Sequence, residues 1–242
     1  MSKNIIVTGA SRGIGRGIAL ALASADTNII INCINNKEKL AQVKSEIDKR
    51  GGHCEMFIGD ISIYDVVQDM FEYAHETYGD IDVLINNAGV SIIGLFQDMT
   101  RDEWNRIINT NVGSVYNCCH FAVKDMVANH SGKIINISSV WGIAGASCEV
   151  AYSASKGAIN SMTRALAKEL APSNIQVNAI ACGAIDTDMN HFLDKEEMDM
   201  LIEEIPAGRL GSPAEVGQLV HDLVSGNNYL TGQVIQLDGG WI

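Results

Sequence analysis

Seven short apolar runs recur along this chain, with stretches of helical periodicity between them. They are NIIVT (4–8), NIIINC (28–33), CEMFI (54–58), IDVLIN (81–86), KIINIS (133–138), IQVNAIA (175–181) and QVIQL (233–237). Most are apolar on both faces, as strands covered on both sides must be. Parallel strands need a crossover between them, and a helix supplies it. The alternation therefore predicts an α/β fold: one doubly wound domain spanning residues 1–242, its parallel sheet of about seven strands covered by helices on both faces.

The intervening stretches carry helix signals. Leu40, Val43 and Ile47 form an apolar stripe that stops at Gly51. Ser62 with Asp65 reads as a capping box ahead of Val66, Val67, Met70, Phe71 and Ala74. Thr100 with Glu103 caps a stripe of Trp104, Ile107, Ile108, Asn111, Val112 and Val115. Ser212-Pro213-Ala214-Glu215 combines a cap, a proline at the first helical position and an acid three residues after the cap.

Charge and cysteine content narrow the function classes. A net charge of −12 argues against a nucleic-acid or anionic-membrane surface, because both need basic patches. No apolar run approaches the length of a bilayer span, and no signal pattern follows MSKN. The six cysteines show no C-x-x-C pair and no metal-ligand spacing, so no metal is expected. They read as reduced, mostly buried thiols of a cytoplasmic protein.

VTGASRGIGRG places Gly9, Gly13 and Gly15 between the first strand and a helix. Glycines let a backbone turn sharply beside a phosphate, and a helix N-terminus offers free N–H groups. A tight turn without a ligand would use the same residues, but this position in a βαβ unit is where open α/β sheets bind dinucleotides. NAD-preferring loops have an acid at the end of the second strand; here the sequence is NCINNK (32–37), with no acid before Glu38. Arg12 and Lys37 could face a 2′-phosphate, so NADP(H) is favoured and NAD(H) is the alternative.

Two polar features interrupt the pattern. Asn111 sits on an apolar stripe, where an unpaired amide costs roughly 1–3 kcal/mol; alone it reads as a backbone-pairing core residue. Tyr152 and Lys156, four apart in YSASK, share a helix face with Ile159, Thr163 and Leu166. They could be an exposed pair. Equally, a cation beside a phenol lowers its pKa towards the range where acid–base catalysis works. Ser138 and Ser139 close the preceding strand at its C-terminal edge.

TGASRGIG (8–15), GDIS (59–62), NNAG (86–89), INTN (108–111), SSV (138–140), YSASK (152–156) and VNAIACGAIDTDM (177–189) occur in one order and spacing, with LTGQVIQLDGGW near the end. Together they resemble the short-chain dehydrogenase/reductase family, a Rossmann-type fold, over essentially the whole chain. The resemblance implies Tyr152 as the residue exchanging a proton with the substrate oxygen. It implies Lys156 as the residue holding the nicotinamide ribose and depressing the tyrosine pKa. Ser139, thirteen residues before Tyr152, is implied to hydrogen-bond the substrate oxygen, and Asn111 to support a water-linked proton path. For the cofactor it implies Gly9, Ser11, Arg12, Ile14 and Gly15 at the pyrophosphate, with Asp60 and Ile61 at the adenine. Asn87, Ala88 and Gly89 would lie beside the ribose, with Tyr152 and Lys156; Ile185 and Thr187 would lie near the nicotinamide amide.

Within the family the wording is most similar to the 3-oxoacyl-[acyl-carrier-protein] reductases. This implies NADPH-dependent reduction of a 3-oxoacyl thioester, an acyl carrier protein as partner, and a homotetramer built through helices near 101–129 and 152–171 and the last strand. Three features depart from that pattern: Cys182 replaces a proline, His130 and Ser173 stand where carrier-docking basic residues are usual, and the −12 charge would repel an acidic carrier. A small-molecule sugar, polyol or hydroxysteroid substrate is therefore the alternative. A silent cofactor-binding regulator is the remaining one, though Asn111, Ser139, Tyr152 and Lys156 are all present. Residues 189–206 match the substrate-covering segment, with Met198, Leu201, Ile202 and Ile205 on one face. Trp141 either lines a substrate pocket or fills core space.

Overall fold

The computed structural model describes residues 2–190 and 193–242. Its strands are β1 (Lys3–Val7), β2 (Thr27–Cys33), β3 (His53–Ile58), β4 (Val83–Asn86), β5 (Gly132–Ser139), β6 (Ile175–Cys182) and β7 (Val234–Leu237). They form one seven-stranded sheet in the order β3-β2-β1-β4-β5-β6-β7, and every neighbouring pair is parallel. The order reverses between β1 and β4, which opens a crevice at the carboxyl ends of those strands.

The helices are α1 (Gly13–Leu22), α2 (Lys37–Lys49), α3 (Tyr64–Tyr78), α4 (Arg101–Ile108), α5 (Ser114–Ala128), α6 (Trp141–Ala144), α7 (Val150–Leu170), α8 (Lys195–Glu204) and α9 (Pro213–Ser225). Alternation along each strand divides the core. Ile5 and Val7 of β1 join Ile18, Leu40, Val43, Ile47, Val216 and Val220 of α1, α2 and α9 on one face. Ile6 points the other way, into Val67, Met70, Phe71, Val115, Cys118 and Ile159 of α3, α5 and α7. Burying a side chain of this size contributes roughly 1.5–3 kcal/mol, so slipping a strand by one residue would forfeit several such contributions.

The capping boxes at Thr100/Glu103 and Ser212/Glu215 form as expected. The one read at Ser62/Asp65 does not: α3 starts a residue later, its N-cap is Ile63, and no side chain caps it. Asp60 Oδ1 instead accepts from the Ser62 N–H at 2.9 Å, so the acid before the turn takes that role. The helix read near 101–129 is interrupted by a π turn at Asn109–Gly113, with Asn111 inside it. The strands also carry buried polar residues: Asn32, Asn86, Asn136 and Asn178. They are paired: Asn86 Nδ2 donates to Asn136 Oδ1, whose own amide donates to Thr163 Oγ1, each at 2.9 Å.

In the segment 189–206, residues 191–192 lie outside the described residues. Asp194 and Glu197 form a capping box for α8, which turns Met198, Leu201 and Ile202 partly inward ahead of buried Ile205. Among the described residues, no helix is long and apolar enough to cross a membrane.

Candidate active site

The glycine loop is folded against the ends of β1 and β4. Gly9 and Gly13 have φ of +64° and +53°, which side chains rarely tolerate. A Cβ on Gly15 would lie 2.4 Å from both Asn87 Nδ2 and the Gly9 carbonyl. That amide holds the loop from behind, donating to the Thr8 and Gly9 carbonyls at 2.9 and 3.1 Å. Thr8 Oγ1 accepts from the N–H groups of Asn87 and Ala88 at 2.9 and 3.1 Å. Sequence reading missed Thr8; its signal was a hydroxyl on the last residue before the glycines. Asn87 and Ala88 thus support the loop directly.

The loop fits a bound phosphate. Helix α1 opens at Gly13 after an extended Arg12 and carries no side-chain cap, so its first N–H groups point out of the helix end. Ser11 and Ile14 are partly buried at this turn, and a Cβ on Gly13 would meet Thr187 Cγ2 at 3.3 Å. Across the crevice, Ile61 is buried, with its carbonyl held by Asn117 Nδ2 at 3.1 Å. Ile185 is buried against the core shared with α1. Arg12 Nη1 pairs with Asp188 at 3.0 Å, and Lys39 Nζ approaches the same carboxylate at 3.8 Å. Lys37, singled out from the sequence, is exposed at the start of α2; Lys39 is the second cation that shares Arg12's partner.

In the other half of the site Asn111, Ser139 and Lys156 are buried and Tyr152 is partly buried. Ser139 ends β5 and hydrogen-bonds the Tyr152 phenol. Its Oγ also accepts from the Trp141 N–H at 3.1 Å. Ser138 faces away, with its hydroxyl 2.7 Å from Asn160 Oδ1. Strand alternation thus separates the two serines. Lys156 Nζ lies 5.6 Å from the Tyr152 ring centroid and donates to the Ile137 carbonyl at 2.8 Å. A Cβ on Gly89 would sit 3.3 Å from Asn111 Oδ1 and 3.5 Å from Lys156 Nζ, so this glycine keeps open the space between them.

Asn111 is held at both ends of its amide. It accepts from the Val90 N–H at 2.8 Å and donates to the Val90 carbonyl and to Ser155 Oγ, both at 2.9 Å. Ser155 in turn donates to the Tyr152 carbonyl at 2.7 Å. The amide therefore ties the strand-end loop to the first turn of α7. Sequence reading missed Ser155, one residue before Lys156. It also missed Glu149, one turn ahead of Tyr152, whose carboxylate accepts from Ser91 Oγ at 2.6 Å. Trp141 packs edge-on against Trp241 at 4.8 Å.

Burial governs the charges here. It pushes the Tyr152 phenol above its ordinary value; the Ser139 hydrogen bond opposes this, while the Glu149 carboxylate and Cys182 add to it. Burial lowers Lys156 from 10.5 to about 8, opposed by Cys182. The net direction at Tyr152 is thus opposite to the depression expected from the lysine, because desolvation of the phenolate dominates. The result is a phenol held protonated beside an amine that titrates near neutrality. Cys182 pairs in register with Ser139 across β5 and β6, and burial raises its thiol to about 12.

A family model described as short chain dehydrogenase matches residues 3–198. The 3-oxoacyl-[acyl-carrier-protein] reductase FabG of Chlamydia trachomatis serovar D is 39% identical over 241 residues, covering 99% of this chain and 97% of that protein. The Staphylococcus aureus (strain Mu50) protein of the same name is 38% identical, with 99% and 98% covered. A solved structure from Agrobacterium tumefaciens, described as a candidate gluconate dehydrogenase, superposes with a TM-score of 0.93 at 33% identity, covering 99% of this chain and 95% of that one. A Rossmann-type parallel sheet, a phosphate-ready loop and a Ser–Tyr–Lys corner at one edge agree with these likenesses: the chain belongs to the short-chain dehydrogenase family and is an NAD(P)-dependent oxidoreductase acting on CH–OH/C=O groups.

Proposed function

We propose that the protein is an NADPH-dependent reductase of 3-oxoacyl thioesters, of the 3-oxoacyl-[acyl-carrier-protein] reductase type. The observation that carries this reading is the juxtaposition of Ser139, Tyr152 and Lys156 at the edge where the glycine loop ends, joined to full-length likeness to reductases of that name. When bound, the nicotinamide supplies the hydride for the carbonyl carbon. Tyr152 donates its proton to the carbonyl oxygen, and Ser139 holds that oxygen by a hydrogen bond. A phenol kept protonated by burial suits the donor in the reductive direction. Lys156, titrating near neutrality, holds the ribose side and passes a proton towards Tyr152. Asn111 fixes the first turn of α7 through Ser155 and supports a proton path in the space beside Gly89.

Gly9, Ser11, Arg12, Ile14 and Gly15 hold the pyrophosphate in this reading. Asp60 and Ile61 flank the adenine; Asn87, Ala88 and Gly89 lie beside the ribose; Ile185 and Thr187 lie near the nicotinamide amide. Arg12, with Lys39, favours a 2′-phosphate, hence NADP(H) over NAD(H). Residues 1–242 act as one domain in which 189–206 covers the substrate. We assign a cytoplasmic homotetramer on family grounds.

A second reading keeps the chemistry and exchanges the thioester for a sugar, polyol or hydroxysteroid. It is favoured by the surface around His130 and Ser173, where Asn174 Nδ2 donates to the His130 carbonyl at 3.1 Å and neither docking position is a lysine or arginine. Turnover of acetoacetyl-CoA and carrier-bound 3-oxoacyl groups, compared with polyols and steroids using NADPH and NADH, separates the two. Selective turnover of polyols would overturn the thioester reading. Replacing Tyr152 by Phe should leave cofactor binding intact and lower kcat by about 10²–10⁴; retained kcat would refute the proton-donor role.

A further inference from the structure

Asp188 joins three parts of the chain at one point. Its Oδ2 lies 3.0 Å from Arg12 Nη1 of the glycine loop and 3.8 Å from Lys39 Nζ in the first turn of α2. Asp188 itself follows β6, on the segment that leads to α8. Between β2 and α2 the chain reads Ile34-Asn35-Asn36, without an acid. The place where a carboxylate would receive a ribose 2′-OH therefore has no acid, and two cations from the elements that flank the first two strands' ends converge instead on Asp188. The carboxylate that neutralises them comes from far along the sequence.

We propose that Asp188 is an internal counter-ion for the two cations of the 2′-phosphate subsite, so that NADP(H) must draw Arg12 and Lys39 away from it and its carboxylate tunes the discrimination between NADP(H) and NAD(H). The inference rests on the NADP(H) reading above and adds a residue that opposes it. The exchange is favourable on charge grounds. A phosphate brings up to two negative charges and three acceptor oxygens to the guanidinium and ammonium, against one charge on the carboxylate. All three side chains are about half exposed, so the existing pairs are weak and easily traded. Displacement also reaches the segment beyond β6: Thr187, next to Asp188, lies against Gly13 of the loop.

The test is calorimetric titration of the full-length protein with 2′,5′-ADP and with 5′-AMP, which differ at the 2′-phosphate. Wild type should bind 2′,5′-ADP more tightly. Asp188→Asn should tighten 2′,5′-ADP roughly two- to fivefold, as expected for removing an exposed competing charge, and leave 5′-AMP unchanged. Asp188→Ser should behave alike, and adding Lys39→Ala to Asp188→Asn should erase the gain. If wild type prefers 2′,5′-ADP but neither Asp188 variant tightens it, Asp188 is a surface ion pair and the inference fails while the NADP(H) reading stands. If wild type shows no preference, the NADP(H) reading falls and the inference falls with it.

Discussion

The glycine loop and the corner formed by Asn111, Ser139, Tyr152 and Lys156 share one edge of the sheet but are held by different forces. The loop is shaped by backbone and by missing side chains: Gly9 and Gly15 press against Ala88 and Asn87 where no Cβ fits. Its charged groups, Arg12, Lys39 and Asp188, are half in water. The corner is shaped by paired and largely buried polar side chains; among the described residues, no buried side-chain nitrogen or oxygen lacks a partner. Water screens the first region far more than the second, where Asn111, Ser139 and Lys156 are buried and Tyr152 partly so. The same change of charge should therefore matter little in one and greatly in the other.

Lys156→Met should sharpen that contrast most. Turnover should fall by about 10²–10⁴, because the amine beside the phenol is lost. Stability at pH 7 should rise by about 1–3 kcal/mol, since a buried ammonium held at about 8 instead of 10.5 costs folding about 3 kcal/mol, less the lost bond to the Ile137 carbonyl. The sign follows from proton counting. Between about 8 and 10.5 the unfolded chain holds the proton and the folded chain does not, so wild-type stability should rise with pH in that window. Denaturant titrations at pH 7, 8, 9 and 10 check this; an unchanged pH slope in the variant would contradict the buried-amine account.

Gly15→Ala should come next in size. Its Cβ would meet the Asn87 amide and the Gly9 carbonyl at 2.4 Å, and overpacking of this kind costs roughly 1–3 kcal/mol. Binding of nicotinamide cofactor, followed by titration calorimetry, should weaken about ten- to a hundredfold. Normal affinity would show that the loop yields more easily than its packing implies.

Ser212→Ala should have the smallest effect. It removes the cap that accepts from the Glu215 N–H at 3.2 Å, at a cost of about 1 kcal/mol read from the unfolding midpoint. Cofactor affinity should change by less than about twofold, because α9 meets Gly17 of α1 at Pro213 and Gly217, and the Ser212 side chain is not among those contacts. A larger loss would show that the cap also orders the loop.

Much of the site was legible because it is written in local spacing. The glycines, YSASK and the serine pair each specify a short piece of backbone whose place in a parallel sheet follows from alternation. Residues that act through tertiary contact were silent. Thr8, Lys39, Glu149, Ser155 and Asp188 look like ordinary polar residues in sequence and gain meaning from partners up to 176 positions away. The failed cap at Ser62 has a similar origin: the Asp60 carboxylate satisfies the turn first.

Sequence alone determined the strands, the doubly wound class and the end of the sheet where chemistry gathers, because period and glycine placement act over a few residues at a time. Tertiary structure decided how the groups are charged. Tyr152 is kept protonated and Lys156 is brought to about 8 by burial, and burial depends on what α7, β5 and the loop after β4 exclude together. It also decided how Asn111 is paired, with the backbone of a loop far from it in sequence. The π turn places it where it pairs with Val90 and still faces the space beside Lys156.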